Sequence, residues 1–164
     1  MKYRITSDPH FHHELMLKLW RPKNYEDKIF KNLQSIPKED TLICLWDVCL
    51  GNEEEIHNKY IVPLKCKKVL VLGNHDHKSY TWYYQHWRDF VCETFELRMY
   101  WYRLVFTHKP ILEELLSKDI INVHGHIHAR NDYIEWPNRV LYTQEEQNYV
   151  PKPLAKLIWK KKLN

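Results

Sequence analysis

Short apolar runs alternate with helix-like segments along the first half of the chain. Lys2 to Thr6 alternates polar and apolar positions and predicts an opening strand. Leu15 to Trp20 is apolar over one or two helical turns and is broken by Arg21-Pro22. Asn24 predicts the N-cap of a helix running to about Ile36, with Ile29, Phe30 and Leu33 on one face and Pro37 stopping it. Thr41 to Trp46 reads as a second, buried strand. Gly51-Asn52 then introduces a helix whose acidic first turn, Glu53-Glu54-Glu55, suits the positive end of the helix dipole. Lys67 to Leu72 reads as a third strand, buried after its two lysines. This alternation of strand and helix is that of an α/β domain with a parallel sheet.

The second half is patterned differently. Tyr80 to Tyr102 is dense in aromatic residues. Rings packed between layers or on edges explain such density, and a base-stacking or partner surface is the alternative. Phe90 to Arg98 and Tyr100 to Phe106 predict two strands, Ile111 to Ser117 a short helix, and Ile120 to Val123 a further strand. Tyr133 to Trp136 and Arg139 to Thr143 read as two more short strands. Pro151-Lys152-Pro153 introduces a terminal helix that ends in a solvated Lys160-Lys161-Lys162 tail. No repeat, linker or low-complexity segment interrupts the 164 residues, so residues 1-164 are expected to form a single domain.

Composition changes this picture at one point. Hydrophobic residues at 44% and charged ones at 28% are ordinary for a globular chain. A net charge of +4 tolerates anionic substrates, but the basic residues are too scattered to favour nucleic acid as a partner. Cys44, Cys49, Cys66 and Cys92 form no C-x-x-C pair, which argues against a zinc-thiolate site. The opening residues carry no secretory signal and no stretch is long enough to span a bilayer. A cytoplasmic protein with reduced cysteines and no membrane partner is therefore expected. Histidine is the outlier, with 11 copies dispersed along the chain. Such a count raises the question of metal.

The question sharpens because the histidines fall where predicted strands end. Asp8-x-His10 follows the first strand on a loop stiffened by Pro9. A carboxylate and an imidazole so spaced can bind one ion, or can simply be a polar strand end. Asp47 ends the second strand, and Gly73-Asn74-His75-Asp76 ends the third. There Gly73 suggests a sharp turn or a close backbone approach. Asn74 can offer an oxygen to a cation, His75 can carry a proton, and Asp76 can fix its tautomer. A plain polar turn is the other reading. His108 leaves a later strand, and His126 and His128 flank one residue, so on an extended backbone they point the same way. Functional groups at strand carboxyl ends match where open α/β sheets bind ligands.

Taken together and in this order, Asp8-x-His10, Asp47, Gly73-Asn74-His75-Asp76, His108 and Gly125-His126-x-His128 resemble the calcineurin-like metallophosphoesterase family, from about residue 3 to residue 143. Asp8-Pro9-His10-Phe11 with His13, then Arg21-Pro22, and the closing segment Tyr142 to Pro151 are similar to its short bacterial and bacteriophage members. The resemblance implies an α/β metallophosphoesterase sandwich, two facing mixed β-sheets flanked by α-helices. It also implies a centre of two divalent metal ions, Mn²⁺, Zn²⁺ or Fe by ligand type. One ion would be held by Asp8, His10, Asp47 and His128, the other by Asp47, Asn74, His108 and His126, with Asp47 bridging. Two such ions need a shared anionic ligand, and together they acidify a water whose hydroxide attacks phosphorus in line. His75 would protonate the leaving alcohol or stabilise the charged transition state, oriented by Asp76. The implied activity is hydrolysis of a small phosphoester, a diester ahead of a monoester.

His12, His13 and His124 neighbour these ligands and are candidates for phosphate contact. His57, His77 and His86 read as surface or packing residues. The family usually has Gly-Asp at the bridging position, whereas this chain has Trp46-Asp47. Tryptophan there is expected to narrow the mouth, shift the strand end or stack on a substrate ring. Two further readings remain. One is a non-catalytic scaffold of the same fold that binds a protein partner, which Trp46 and the aromatic stretch favour. The other is a small nuclease using the same centre, although the chain leaves little room for a DNA-binding domain. The residues imply no particular oligomeric state.

Overall fold

Strand parity decides the layers. The computed structural model describes residues 1–87, 89–128, 137–156 and 158. Strands β1 (Tyr3–Ser7), β2 (Thr41–Leu45), β3 (Lys67–Val71) and β4 (Phe90–Cys92) run parallel. With β9 (Lys152–Pro153) antiparallel to β1, they form a five-stranded sheet in the order β4-β3-β2-β1-β9. Strands β5 (Thr94–Met99), β6 (Tyr102–Thr107), β7 (Ile120–His124) and β8 (Arg139–Leu141) form a four-stranded sheet in sequence order. There β5 is antiparallel to β6 and the other pairs are parallel.

Alternate residues of the first sheet face opposite ways. Ile5, Ile43, Leu45, Val69 and Val71 meet Leu104, Phe106, Ile121 and Val123 of the second sheet in one buried core. Leu42, Cys44, Trp46 and Leu70 pack on the other side against helices. These helices are α1 (Glu14–Leu19), α2 (Tyr25–Gln34), α3 (Glu53–Ile56) and α4 (Tyr80–Trp87). They contribute Met16, Tyr25, Ile29, Leu33, Ile56, Tyr83 and Trp87 to that second core. The result is the expected α/β sandwich of two mixed sheets.

Several elements differ from the sequence reading. The strand expected over Phe90 to Arg98 is two strands, because β4 joins the first sheet and β5 the second. The alternating pattern runs through this crossing without a glycine or proline to mark it. Helix α4 occupies the start of the aromatic stretch, and its Tyr83 and Trp87 are buried, so packing explains those rings. The helix expected over Ile111 to Ser117 is a single 3₁₀ turn, Glu113–Leu115. Tyr133 to Trp136 and Lys160 to Lys162 lie outside the described residues. Among the described residues, no helix is long and apolar enough to cross a membrane.

Helix α3 continues as a π-helical turn, His57–Ile61, and His57 is a packing residue. It is fully buried among the rings of Trp82, Tyr83, His86 and Trp87. Neither ring nitrogen has a hydrogen-bond partner among the described residues. Burial, aided by the charge of His86, pushes its pKa down to about 3. The unfolded chain takes up this proton near pH 6.5. His57 therefore costs no stability above about pH 6.5, and stability falls as pH drops from there toward about 3. The denaturant midpoint of the wild type is expected to fall over that window by more than that of His57→Phe. Parallel pH curves for the two proteins would remove His57 from the acid sensitivity.

Candidate metal centre

The end of β1 turns into an irregular loop whose backbone is left-handed at Asp8 (φ 49°), His10 (φ 49°) and His12 (φ 58°). That conformation costs an ordinary residue about 1–2 kcal/mol, and Asp and His are among the residues found there more often. Side chains hold the loop from outside. Buried Arg21 donates from Nη2 to the Asp8 carbonyl (2.8 Å) and from Nη1 to the Pro9 carbonyl (2.5 Å). The Tyr25 hydroxyl donates to the His10 carbonyl (2.6 Å), and the His10 N–H donates to the Asp47 carbonyl (3.2 Å). In the sequence Arg21 stands in a helix-breaking Arg-Pro and in the resemblance to short family members; in the structure it is the clamp on the loop that carries Asp8 and His10.

Two glycines let the strand ends close up. A Cβ at Gly73 would overlap the Trp46 carbonyl oxygen and the Asp47 carboxylate, and one at Gly125 would overlap Ser7 Oγ and the Asp8 carboxylate. Gly125 is followed by His126, also left-handed (φ 67°), whose N–H donates to Asp8 Oδ2 (3.1 Å).

This construction gathers two clusters. Asp8, His10 and His128 form one, and Asp47, His108 and His126 the other, each with ligand atoms within 4.8 Å of one another. His10 Nε2 lies 3.1 Å from His128 Nε2 and 3.7 Å from Asp8 Oδ1. His108 Nε2 lies 3.1 Å from His126 Nδ1 and 3.2 Å from Asp47 Oδ2. Each imidazole nitrogen carries either one proton or one lone pair, so nitrogens facing each other need a proton or a cation between them. Nitrogens and carboxylates converging in this way are a donor set for a borderline divalent ion. The charges agree with that use. Burial raises the pKa of Asp8, but its bond to His10 and the nearby His108 and His128 outweigh burial and hold the carboxyl well below the usual range. Burial lowers the pKa of His108, but Asp47, Asp8 and Asp76 outweigh it and raise the pKa. Asn74 sits exposed on the turn after β3.

His75 stands beside these clusters. Its Nε2 is 3.9 Å from Asp47 Oδ2, its ring centroid is 6.1 Å from that of His10, and its side chain is 38% exposed. Its backbone N–H donates to Asp47 Oδ1 (2.9 Å).

Other sequence expectations are corrected. Asp76 was expected to orient the His75 ring. Instead its Oδ2 accepts from the Gly73 N–H (2.7 Å) and its Oδ1 from the Val48 N–H (3.2 Å). The tight turn folds the carboxylate back over its own start, so Asp76 ties the end of β3 to the segment after β2. Burial pushes its pKa up to about 7 against the pull of those bonds. Trp46 was expected to narrow the mouth, shift the strand end or stack on a substrate ring, but it is fully buried on the helix side, its ring 5.3 Å from that of Trp87. Neighbouring residues on a strand point to opposite faces, so placing Asp47 in the site sends Trp46 away from it. His124 was a candidate for phosphate contact. It is fully buried at the end of β7, with Nδ1 2.9 Å from the Gly125 carbonyl, and burial pushes its pKa down to about 4. His12 is exposed and tied to α2, its N–H donating to Glu26 Oε1 (2.7 Å) and its ring 4.0 Å from Glu26 Oε2. Half-buried His13 stands beside the first cluster, its ring 5.3 Å from that of His10.

Glu145 was missed. Its Oε1 accepts from Arg21 Nε (2.6 Å), and its Oε2 lies 3.4 Å from His128 Nδ1. Burial raises its pKa, but His128 and Arg21 outweigh burial and pull it down to about 2. An anion on Nδ1 fixes the His128 ring with Nε2 toward His10. The closing segment drew notice for its resemblance, but no local spacing marks this one carboxylate.

The fold and the two clusters define an α/β sandwich with candidate metal groups at its strand ends. The chain belongs to the calcineurin-like phosphoesterase family, whose model matches residues 1–163. No curated protein gives a significant match. The fold is similar to that of a protein of unknown function from Aquifex aeolicus, with 21% identity and a TM-score of 0.73 over 95% of this chain and 97% of that one. A structure of an archaeal phosphodiesterase aligns over 87% of this chain and 82% of that one, with 20% identity and a TM-score of 0.49.

Proposed function

We propose that this chain is a two-metal phosphoesterase that hydrolyses small phosphodiesters ahead of monoesters. The observation that carries this reading is the pair of clusters, Asp8-His10-His128 and Asp47-His108-His126, assembled from distant strand ends. Asp8, His10, Asp47 and His128 would hold one ion, and Asp47, Asn74, His108 and His126 the other. The oxygen and nitrogen donors suit Mn²⁺, Zn²⁺ or Fe. Bound there, the pair would supply Lewis acidity to the phosphoryl group and an activated water.

The chain's own residues do the rest. Arg21 and Tyr25 fix the loop of Asp8 and His10, and Glu145 holds His128. His75, open to solvent beside Asp47, donates a proton to the leaving oxygen. His13, whose ring lies 5.3 Å from that of His10, would contact the phosphate. Beside the clusters lies a cavity of about 380 Å³, lined by Trp20, His126, Ile127 and His128. Trp46 lies in the core, which removes one of the two features favouring the scaffold alternative; of the aromatic stretch, Tyr83 and Trp87 are buried, whereas Tyr80, Tyr84, Phe90, Tyr100 and Trp101 are exposed.

The sharing of Asp47 between both ions has a direct test. Asp47→Asn is expected to weaken both sites together, by at least the roughly 10–100-fold that loss of a supporting partner costs a metal site. Elemental analysis after dialysis should show both equivalents reduced. A variant that keeps two full equivalents would remove the bridging role.

A further inference from the structure

Resting on the phosphoesterase reading, we propose that Trp20 is the stacking wall of the substrate site. The preferred substrates are then phosphoesters bearing a flat aromatic group, nucleotide or aryl esters rather than alkyl ones. Trp20 lines the cavity against the clusters together with His126, Ile127 and His128. It is 47% exposed, whereas Trp46 and Trp87 are fully buried. Among the described residues its ring contact is with His128, at 6.2 Å between centroids and tilted by 53°.

The ring is also held in place. Its Nε1 lies 3.4 Å from Glu145 Oε1, and its backbone N–H donates to the Met16 carbonyl (3.3 Å). The next residue, Arg21, is buried and bound to Glu145, Asp8 and Pro9. The clamp that fixes the loop of Asp8 and His10 therefore also fixes Trp20 relative to the phosphate position. A positioned aromatic face loses little freedom on binding, so its contact appears in affinity. Ile127, between two histidines of the clusters, supplies apolar surface in the same cavity. Stacking of one ring on such a face is worth about tenfold in affinity.

The test is calorimetric binding of benzylphosphonate and methylphosphonate to the full chain loaded with Mn²⁺. Both probes have P–C bonds that are not hydrolysed, and they differ in the ring. Benzylphosphonate is expected to bind the wild type about tenfold more tightly. Trp20→Ala and Trp20→Leu should erase the difference between the two probes, and Trp20→Phe should keep most of it. Equal affinities in the wild type, or a preference that survives in Trp20→Ala, would overturn the proposal. Equal affinities would leave Trp20, with the exposed Leu15, Leu17 and Leu19 of α1, as a surface for another protein. Hydrolysis of bis(p-nitrophenyl) phosphate by the same sample separates the two claims. Ring preference without hydrolysis keeps the wall and sinks the esterase reading. Hydrolysis without ring preference does the reverse.

Discussion

His75→Ala is expected to lower phosphodiester turnover by about 10²–10⁴-fold, the usual worth of a positioned proton donor, while metal content stays at the wild-type level. The imidazole lies outside both clusters of ligand atoms. At 3.9 Å from Asp47 Oδ2 it is too far for a tight bond, and its 38% side-chain exposure leaves it open to an incoming ester. The part of His75 that does hold the centre is its backbone N–H on Asp47 Oδ1, which alanine retains. Truncation therefore removes a proton carrier and keeps the anchor. Turnover and metal content measured on one preparation decide the matter. Loss of metal along with activity would make His75 a ligand.

Gly73→Ala should disrupt both the fold and the site. Its Cβ would overlap the Trp46 carbonyl and the Asp47 carboxylate. Trp46 is fully buried against Trp87 and has nowhere to retreat, so the Asp47 side must give. Overpacking of this kind costs about 1–3 kcal/mol. Here the cost also falls on function, since Asp47 faces His108 at 3.2 Å. The urea midpoint and the metal affinity are expected to fall together. Unchanged values for both would mean that the β2 and β3 ends tolerate more separation than their contact suggests.

The contrast between Asp47 and Trp46 shows how far the sequence could be read. Short apolar runs bounded by polar turns placed β1, β2 and β3, and Asp8 and His10 after β1 and Asp47 after β2 fall in two clusters with His108, His126 and His128. Strand alternation alone would have sent Trp46 away from the site once Asp47 was placed in it. A substitution at a motif position drew attention to the mouth instead. Asp76 was misread for a related reason: sequence proximity to His75 suggested a side-chain pair, whereas the turn geometry gave it backbone partners. Glu145 and Arg21 lie in stretches that resemble the family, but their pairing was not legible. They meet across a separation of 124 residues, and no local spacing encodes such a pair. The β4–β5 crossing and the short β9 pairing were missed because both depend on which sheet the chain joins. Pro153 in β9 read as a helix lead-in, though an edge strand also accepts proline.

Hydrolysis of bis(p-nitrophenyl) phosphate by metal-free wild-type protein, followed through a titration with Mn²⁺, tests the proposed centre most directly. Without metal, no turnover is expected. Activity should rise with added Mn²⁺ and reach its plateau at two equivalents per chain. Hydrolysis that is indifferent to metal, or its complete absence once Mn²⁺ is bound, would contradict a two-metal phosphoesterase at these strand ends.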